Sequence, residues 1–103
     1  MTQSLSEQYR LAAKKSIELD CAATLLEECK TSNLSQMMIG YGDMPVSKAK
    51  MLATASAPWR EYVEAMINAR REANLARVDA DYLRMRFQEQ MSAEATNRRE
   101  MGL

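Results

Sequence analysis

The chain has no histidine among its 103 residues, only two cysteines, three glycines and two prolines, and no net charge. Each shortage closes a class of function. Without histidine the commonest general base and the commonest metal ligand are missing. Cys21 and Cys29 lie eight residues apart in one predicted helix, about 12 Å along its axis, too far for an internal disulfide. Two thiols with no further ligands give no zinc pattern. They read as small buried side chains in a reducing cytoplasm, with an intermolecular disulfide or a reactive thiol as the alternatives. Fourteen Lys and Arg against fourteen Asp and Glu remove a bulk electrostatic case for nucleic acid, anionic membrane or acidic substrate. No apolar run is long enough to span a bilayer, and the opening MTQSLSEQYR lacks the basic start and apolar stretch of a secretory signal.

The chemical motifs that remain are short. Ser47-Lys48-Ala49-Lys50 matches S-x-x-K but has none of the companion motifs of the enzymes that use it. Gly40-Tyr41-Gly42 has no strand before it and is weak as a phosphate loop. Asp79 and Asp81 stand two apart, on different faces of a helix. The sequence therefore predicts no catalytic residue, no metal, no cofactor and no small-molecule substrate.

The scarcity of glycine and proline is itself the main positive signal. From Trp59 to Met101 neither occurs; Pro58 stands before that run and Gly102 after it, as at the two ends of one long helix. Such a helix is about 64 Å long at 1.5 Å per residue. The chain reads as a single all-α domain over residues 1–103: a first helix over 4–30, a connector over 31–58 containing a short helix, and a long coiled-coil-like helix over 59–101. Ser4 and Glu7 form an S-x-x-E capping box at the start, and Thr31-Ser32-Asn33 should close the first helix. In the connector, Leu34 to Ile39 suits one or two helical turns and the Gly40-Tyr41-Gly42-Asp43 run suits a turn. Pro45 suits the first turn of a short helix through Ala55, whose Met51 and Leu52 are expected to cap the neighbouring helices.

Both main helices carry heptads. The first has its seam at Leu5, Tyr9, Ala12, Ser16, Leu19, Ala23 and Leu26; the long one at Trp59, Tyr62, Met66, Ala69, Ala73, Ala76, Ala80, Leu83 and Phe87. Four alanines in the second seam permit close approach of a partner helix. After Phe87 the phase slips to Met91 and Ala95, a four-residue stutter. Flanking charges choose the orientation. Arg70, Arg77 and Arg84 at e positions would face Asp20 and Glu27, and Lys15 at g would face Glu72 and Asp79, if the helices run antiparallel. Pairs whose residue numbers sum to 92 satisfy every layer, with Leu5 by Phe87, Tyr9 by Leu83, Ala12 by Ala80 and Leu26 by Met66. The expected fold is thus an antiparallel helical hairpin.

That hairpin leaves a remainder. Residues 90 to 103 overhang, and a second apolar stripe runs along the long helix at Ile67, Leu75, Val78, Tyr82 and Met85, continued by Met91. One partner helix cannot cover both stripes. The connector folding back is one cover; self-association through the stripe and the overhang is the favoured one, because a two-helix hairpin has a thin core. The basic alternative is Arg70, Arg77, Arg84, Arg98 and Arg99, which would make the chain an accessory DNA-binding factor. Acids interleaved along the same helix favour a solvated, salt-bridged face instead. A helix-turn-helix built from Leu34–Ile39 and Pro45–Ala55, with Lys48 and Lys50, lacks the third helix such units pack against.

The segments KAKMLATASAPWREYVEAMINARREA and DADYLRMRFQEQMSAEATNRREMGL carry a small-residue turn, a long helix with Tyr82-Leu83-Arg84, a polar stretch around Gln90 to Ser92, and a terminal Arg98-Arg99-Glu100-Met101. Over roughly residues 48–101 this pattern resembles small helical proteins encoded by tailed phages and prophages. The resemblance implies a bacterial cytoplasm and an accessory role near recombination functions, and defines no site. The function expected is a non-enzymatic interaction module for a host or phage protein.

Overall fold

The computed structural model describes residues 3–102, and four helices account for most of them: α1 (Leu5–Glu28), α2 (Lys30–Ile39), α3 (Val46–Thr54) and α4 (Ala57–Met101). No strand occurs among the described residues. α1 and α4 pack against one another, α2 packs on α3, and the whole is a rod of 83 × 26 × 15 Å. Its radius of gyration, 23.1 Å, far exceeds the about 13 Å of a compact chain of this length.

α1 begins where the sequence signals it. Ser4 has extended backbone angles and its hydroxyl accepts from the amide of Glu7 at 3.2 Å. The reciprocal half of the capping box does not form. Glu7 turns to Arg10 instead, at 2.7 and 3.0 Å, because an i,i+3 guanidinium offers two charged donors in place of one amide.

Thr31-Ser32-Asn33 does not end the helix. The break comes earlier, at Cys29, and the chain resumes as α2. Two side chains act at this break. The Tyr62 hydroxyl donates to the Leu26 carbonyl in the last turn of α1, and Asn33 Nδ2 donates 3.0 Å to the Cys29 carbonyl. A side chain engaging the helical carbonyl ladder is a recognised cause of a bend. The polar cluster then sits in the first turn of α2, where the Asn33 side-chain amide bonds the backbone.

The turn at Gly40 to Asp43 follows expectation. Gly40 caps α2, and Gly42 adopts φ +74°, the left-handed backbone that glycine tolerates. The Tyr41 hydroxyl donates to the Leu52 carbonyl at 3.4 Å, joining the turn to the returning α3. Pro45 precedes α3, whose buried residues are Ala49 and Ala53. Met51 and Leu52, expected to cap the neighbours, face outward. α2 packs against α3, and the residues of α3 that are buried are these two alanines.

Ser56 caps α4, accepting from the Trp59 amide at 3.4 Å, and Pro58 lies in the first turn, so the helix starts two residues before Trp59. It continues unbroken through the stutter to Met101 and ends at Gly102.

The predicted seams are the buried faces. Every seam position from Leu5 to Leu26 and from Trp59 to Phe87 is buried or half-buried, and every residue from Gln88 to Gly102 is exposed. Among the described residues the buried ones are all alanines: Ala23, Ala49, Ala53, Ala73, Ala76 and Ala80. No large side chain among the described residues reaches that state.

Candidate interaction surface

The α1–α4 contact is fastened at the end near the bend. Arg70 reaches across α1 to three side chains, with Nη1 2.5 Å from Asp20, Nη2 and Nε 2.7 and 2.9 Å from Glu27, and Nη2 3.2 Å from Thr24. This is a bidentate guanidinium–carboxylate pair with a second acid attached. The hydrogen bonds from Arg70 hold the Glu27 carboxyl below its usual value, and those to Glu27 and then Asp20 push the guanidinium further up. About two turns earlier along α4, the Tyr62 ring stacks on Trp59 with centroids 5.8 Å apart. These cross-helix partners, Tyr62 with Leu26 and Arg70 with Asp20, Thr24 and Glu27, lie on either side of the register in which residue numbers sum to 92.

The rest of the expected charge ladder does not form. Arg77 bonds Asn74 at 3.3 Å and Arg84 lies 3.7 Å from Asp81, both within α4. The reason is the composition of the facing flank: the e positions of α1 are Ser6, Ala13, Asp20 and Glu27, so only Arg70 has an acid on both sides. Lys15 forms no ion pair among the described residues, although it borders a groove of 710 Å³ together with Glu72 and Asp79. Ala12 and Leu19 of α1 and Ala76 of α4 form part of the groove wall. Its two rims are oppositely charged, with Lys15 on α1 and Glu72 and Asp79 on α4.

The five arginines of the basic reading therefore do not make one free cluster. Arg70 is committed to two acids, Arg77 and Arg84 hold partners on their own helix, and Arg98 and Arg99 stand in the last turn of α4. There they complement the negative end of the helix dipole. From Arg70 to Arg99 is about 43 Å along the axis.

The second stripe has the opposite character. Ile67, Leu75, Val78, Tyr82, Met85 and Met91 are between 47 and 63% exposed. Leu75, Val78, Tyr82 and Met85 occupy alternating c and f heptad positions, whose centre lies about 160° around the helix from the seam at 100° per residue. The stripe is thus on the back of α4, on the far side from the seam, with Leu75 and Tyr82 at its edge also lining the groove beside Ala12, Lys15 and Leu19 of α1. Neither α2 nor α3 reaches it; they lie beyond the start of α4 and pack on each other. Arg86 lies over the Tyr82 ring, 6.0 Å from its centroid.

Some exposed apolar residues escape a seam-and-stripe reading of the long helix. Leu11, Ile17 and Leu25 on α1 and Val46 and Met51 on α3 are all exposed. Leu11 and Leu25 share a c position two heptads apart, a signal in the sequence that Glu18 interrupts between them. Among the described residues there is no group of acidic or cysteine side chains arranged to hold a metal, and no helix long and apolar enough to cross a membrane. Comparison with family models, with curated proteins and with solved structures finds no match.

Proposed function

We propose that this chain is a non-enzymatic helical interaction protein, an accessory product of a tailed phage or prophage that acts in the bacterial cytoplasm by binding protein. Its working surface is the back of α4 together with the overhanging last turns. One observation carries this reading: the residues buried inside the chain are alanines, while Leu75, Val78, Tyr82 and Met85 lie in an exposed row. A continuous apolar row of this kind marks an interaction site more often than a solvated face. The phage setting rests on the resemblance of residues 48–101 and on no measured contact.

An accessory DNA-binding role through Arg70, Arg77, Arg84, Arg98 and Arg99 is the weaker reading, because Arg70 already holds two acids. Affinity for single- or double-stranded DNA that falls steeply with added salt is the result that would favour it. The interaction reading is tested in cells. A photo-crosslinking amino acid placed at position 78 should trap protein, and one at Glu18, an exposed position on the face of α1 turned away from α4, should trap much less. Equal or absent trapping at both positions would sink the proposal.

A further inference from the structure

Resting on the reading of the α4 back face as an interaction surface, we propose that its occupant is a second copy of this chain. The two α4 helices lie antiparallel, back to back, about a two-fold axis that passes by Ala80. The inference comes from the self-complementarity of the exposed row. When residue numbers on the two helices sum to 160, Leu75 meets Met85 of the second copy and Val78 meets Tyr82, each twice by symmetry. Four apolar layers form in succession, in the a-to-d alternation of an antiparallel coiled coil.

The layers beyond them are matched as well. Arg71 meets Glu89, Asn68 meets Ser92, Glu64 meets Thr96 and Glu61 meets Arg99, so no layer opposes like charges. On one flank Glu72 and Asp79 come opposite Arg86 of the second copy; on the other, Ile67 comes opposite Ala95. Asp79 and Asp81 each approach their own counterpart near the axis. Arg86 of the second copy attends Asp79, and Arg84, 3.7 Å away on the same helix, attends Asp81.

Alternative pairings fail on the same residues. A slip of one heptad sets Val78 against Glu89, or Tyr82 against Arg71. A parallel pair in register sets Arg71 against Arg71 and Glu89 against Glu89. Only the antiparallel register keeps the apolar residues together and the ends opposite in charge.

The surface area agrees with a partner of this size. The chain exposes 8009 Å², whereas a compact monomer of 11.7 kDa exposes about 5,900 Å². The excess of about 2,100 Å² is well above the roughly 800 Å² that each partner contributes to a standard interface. In this dimer the overhang also ceases to be free. Residues 88–101 of one copy lie along the first turns of α4 of the other.

Cysteine cross-linking tests the register. In a Cys21→Ser, Cys29→Ser background, Asp81→Cys places two thiols about 3 Å apart along the axis, and Ser92→Cys places them about 36 Å apart. Mild oxidation should convert the Asp81→Cys chain to a covalent dimer and leave the Ser92→Cys chain monomeric on a denaturing gel. A mixture of Leu75→Cys and Met85→Cys chains should give a cross-linked pair that neither gives alone. All four positions are exposed in the single chain, and circular dichroism confirms that each variant keeps its helices. A Ser92→Cys dimer would show a parallel pair and overturn the proposal. Absence of cross-links at position 81 and between 75 and 85 would also overturn it. If the position-78 photo-crosslinker then traps a different protein, the interaction surface stands and only the second copy is wrong.

Discussion

The two faces of α4 are built from residues of opposite size. The face toward α1 is lined in its middle by Ala69, Ala73, Ala76 and Ala80, and three of these are fully buried. The face turned away carries Leu75, Val78, Tyr82 and Met85, each more than half exposed. In a self-sufficient domain the large apolar residues lie inside, because each one fully buried contributes about 1.5–3 kcal/mol and an alanine far less. Here the order is reversed. The alanine seam permits close approach and fixes which helix lies on which, while Leu75, Val78, Tyr82 and Met85 stay open to solvent. A hairpin of this kind holds its shape through geometry and a few polar fasteners; on the interaction reading proposed above, association supplies the rest of its stability.

The comparison can be broken from the seam side first. Ala23 has no exposed surface, so Ala23→Glu places a charge where no partner exists. The loss should be about 3 kcal/mol or more, the range for a buried charge left uncompensated, and thermal melting followed by circular dichroism should show the hairpin gone. Ala76→Leu forces the helices apart without adding charge. Overpacking of this sort costs about 1–3 kcal/mol, read from the shift in a urea unfolding midpoint. Tyr62→Phe removes only the hydroxyl that holds the Leu26 carbonyl at the bend. About 1 kcal/mol is expected by the same measurement. A loss as large as that of Ala76→Leu would mean that the bend, and not the alanine seam, organises the pair.

The smallest effect concerns acid. Arg70 lowers the Glu27 carboxyl below its ordinary 4.5, so the folded state binds that proton less readily than the unfolded chain. The contribution is present above the unfolded value and is lost as pH falls through the lower folded value. Stability should therefore decline modestly below about pH 4.5, and Glu27→Gln should flatten that decline while lowering the neutral-pH midpoint slightly. An unchanged acid profile in Glu27→Gln would remove the Arg70 fastener from the account.

Much of this architecture was legible in residue order. The heptad steps place every seam residue, and Pro58 and Gly102 bracket α4 to within two residues, because caps and periodicity are local properties of the chain. The orientation followed from charge at the one place where an arginine is flanked by two acids. Features that depend on contacts across the fold were not legible. The break at Cys29 is associated with Tyr62, distant in sequence, and Met51 and Leu52 are exposed because α3 buries its Ala49 and Ala53 face instead. Arg77 and Arg84 have the right heptad position for interhelical pairs, but Arg84 comes between Ser6 and Ala13 and Arg77 has an acid on one side only, Asp20, which Arg70 already holds, a mismatch visible only once the flanks are aligned residue by residue. For the surface, the exposed row could be named in advance because it is a second period on one helix. Leu11 and Leu25 were missed because a single glutamate breaks their repeat.

The most direct measurement is the mass of the chain in solution, by size-exclusion chromatography with light scattering, beside a Val78→Glu, Tyr82→Glu variant. Both substitutions fall on exposed positions of the single chain, where changes usually alter its own stability by no more than about 0.5 kcal/mol. The unaltered chain should run at twice 11.7 kDa and the variant at 11.7 kDa, with helix content retained in the variant apart from what association contributes. An unaltered chain that stays at 11.7 kDa up to high micromolar concentration, with a cooperative melt, would contradict this, because the alanine seam alone would then suffice to hold the fold.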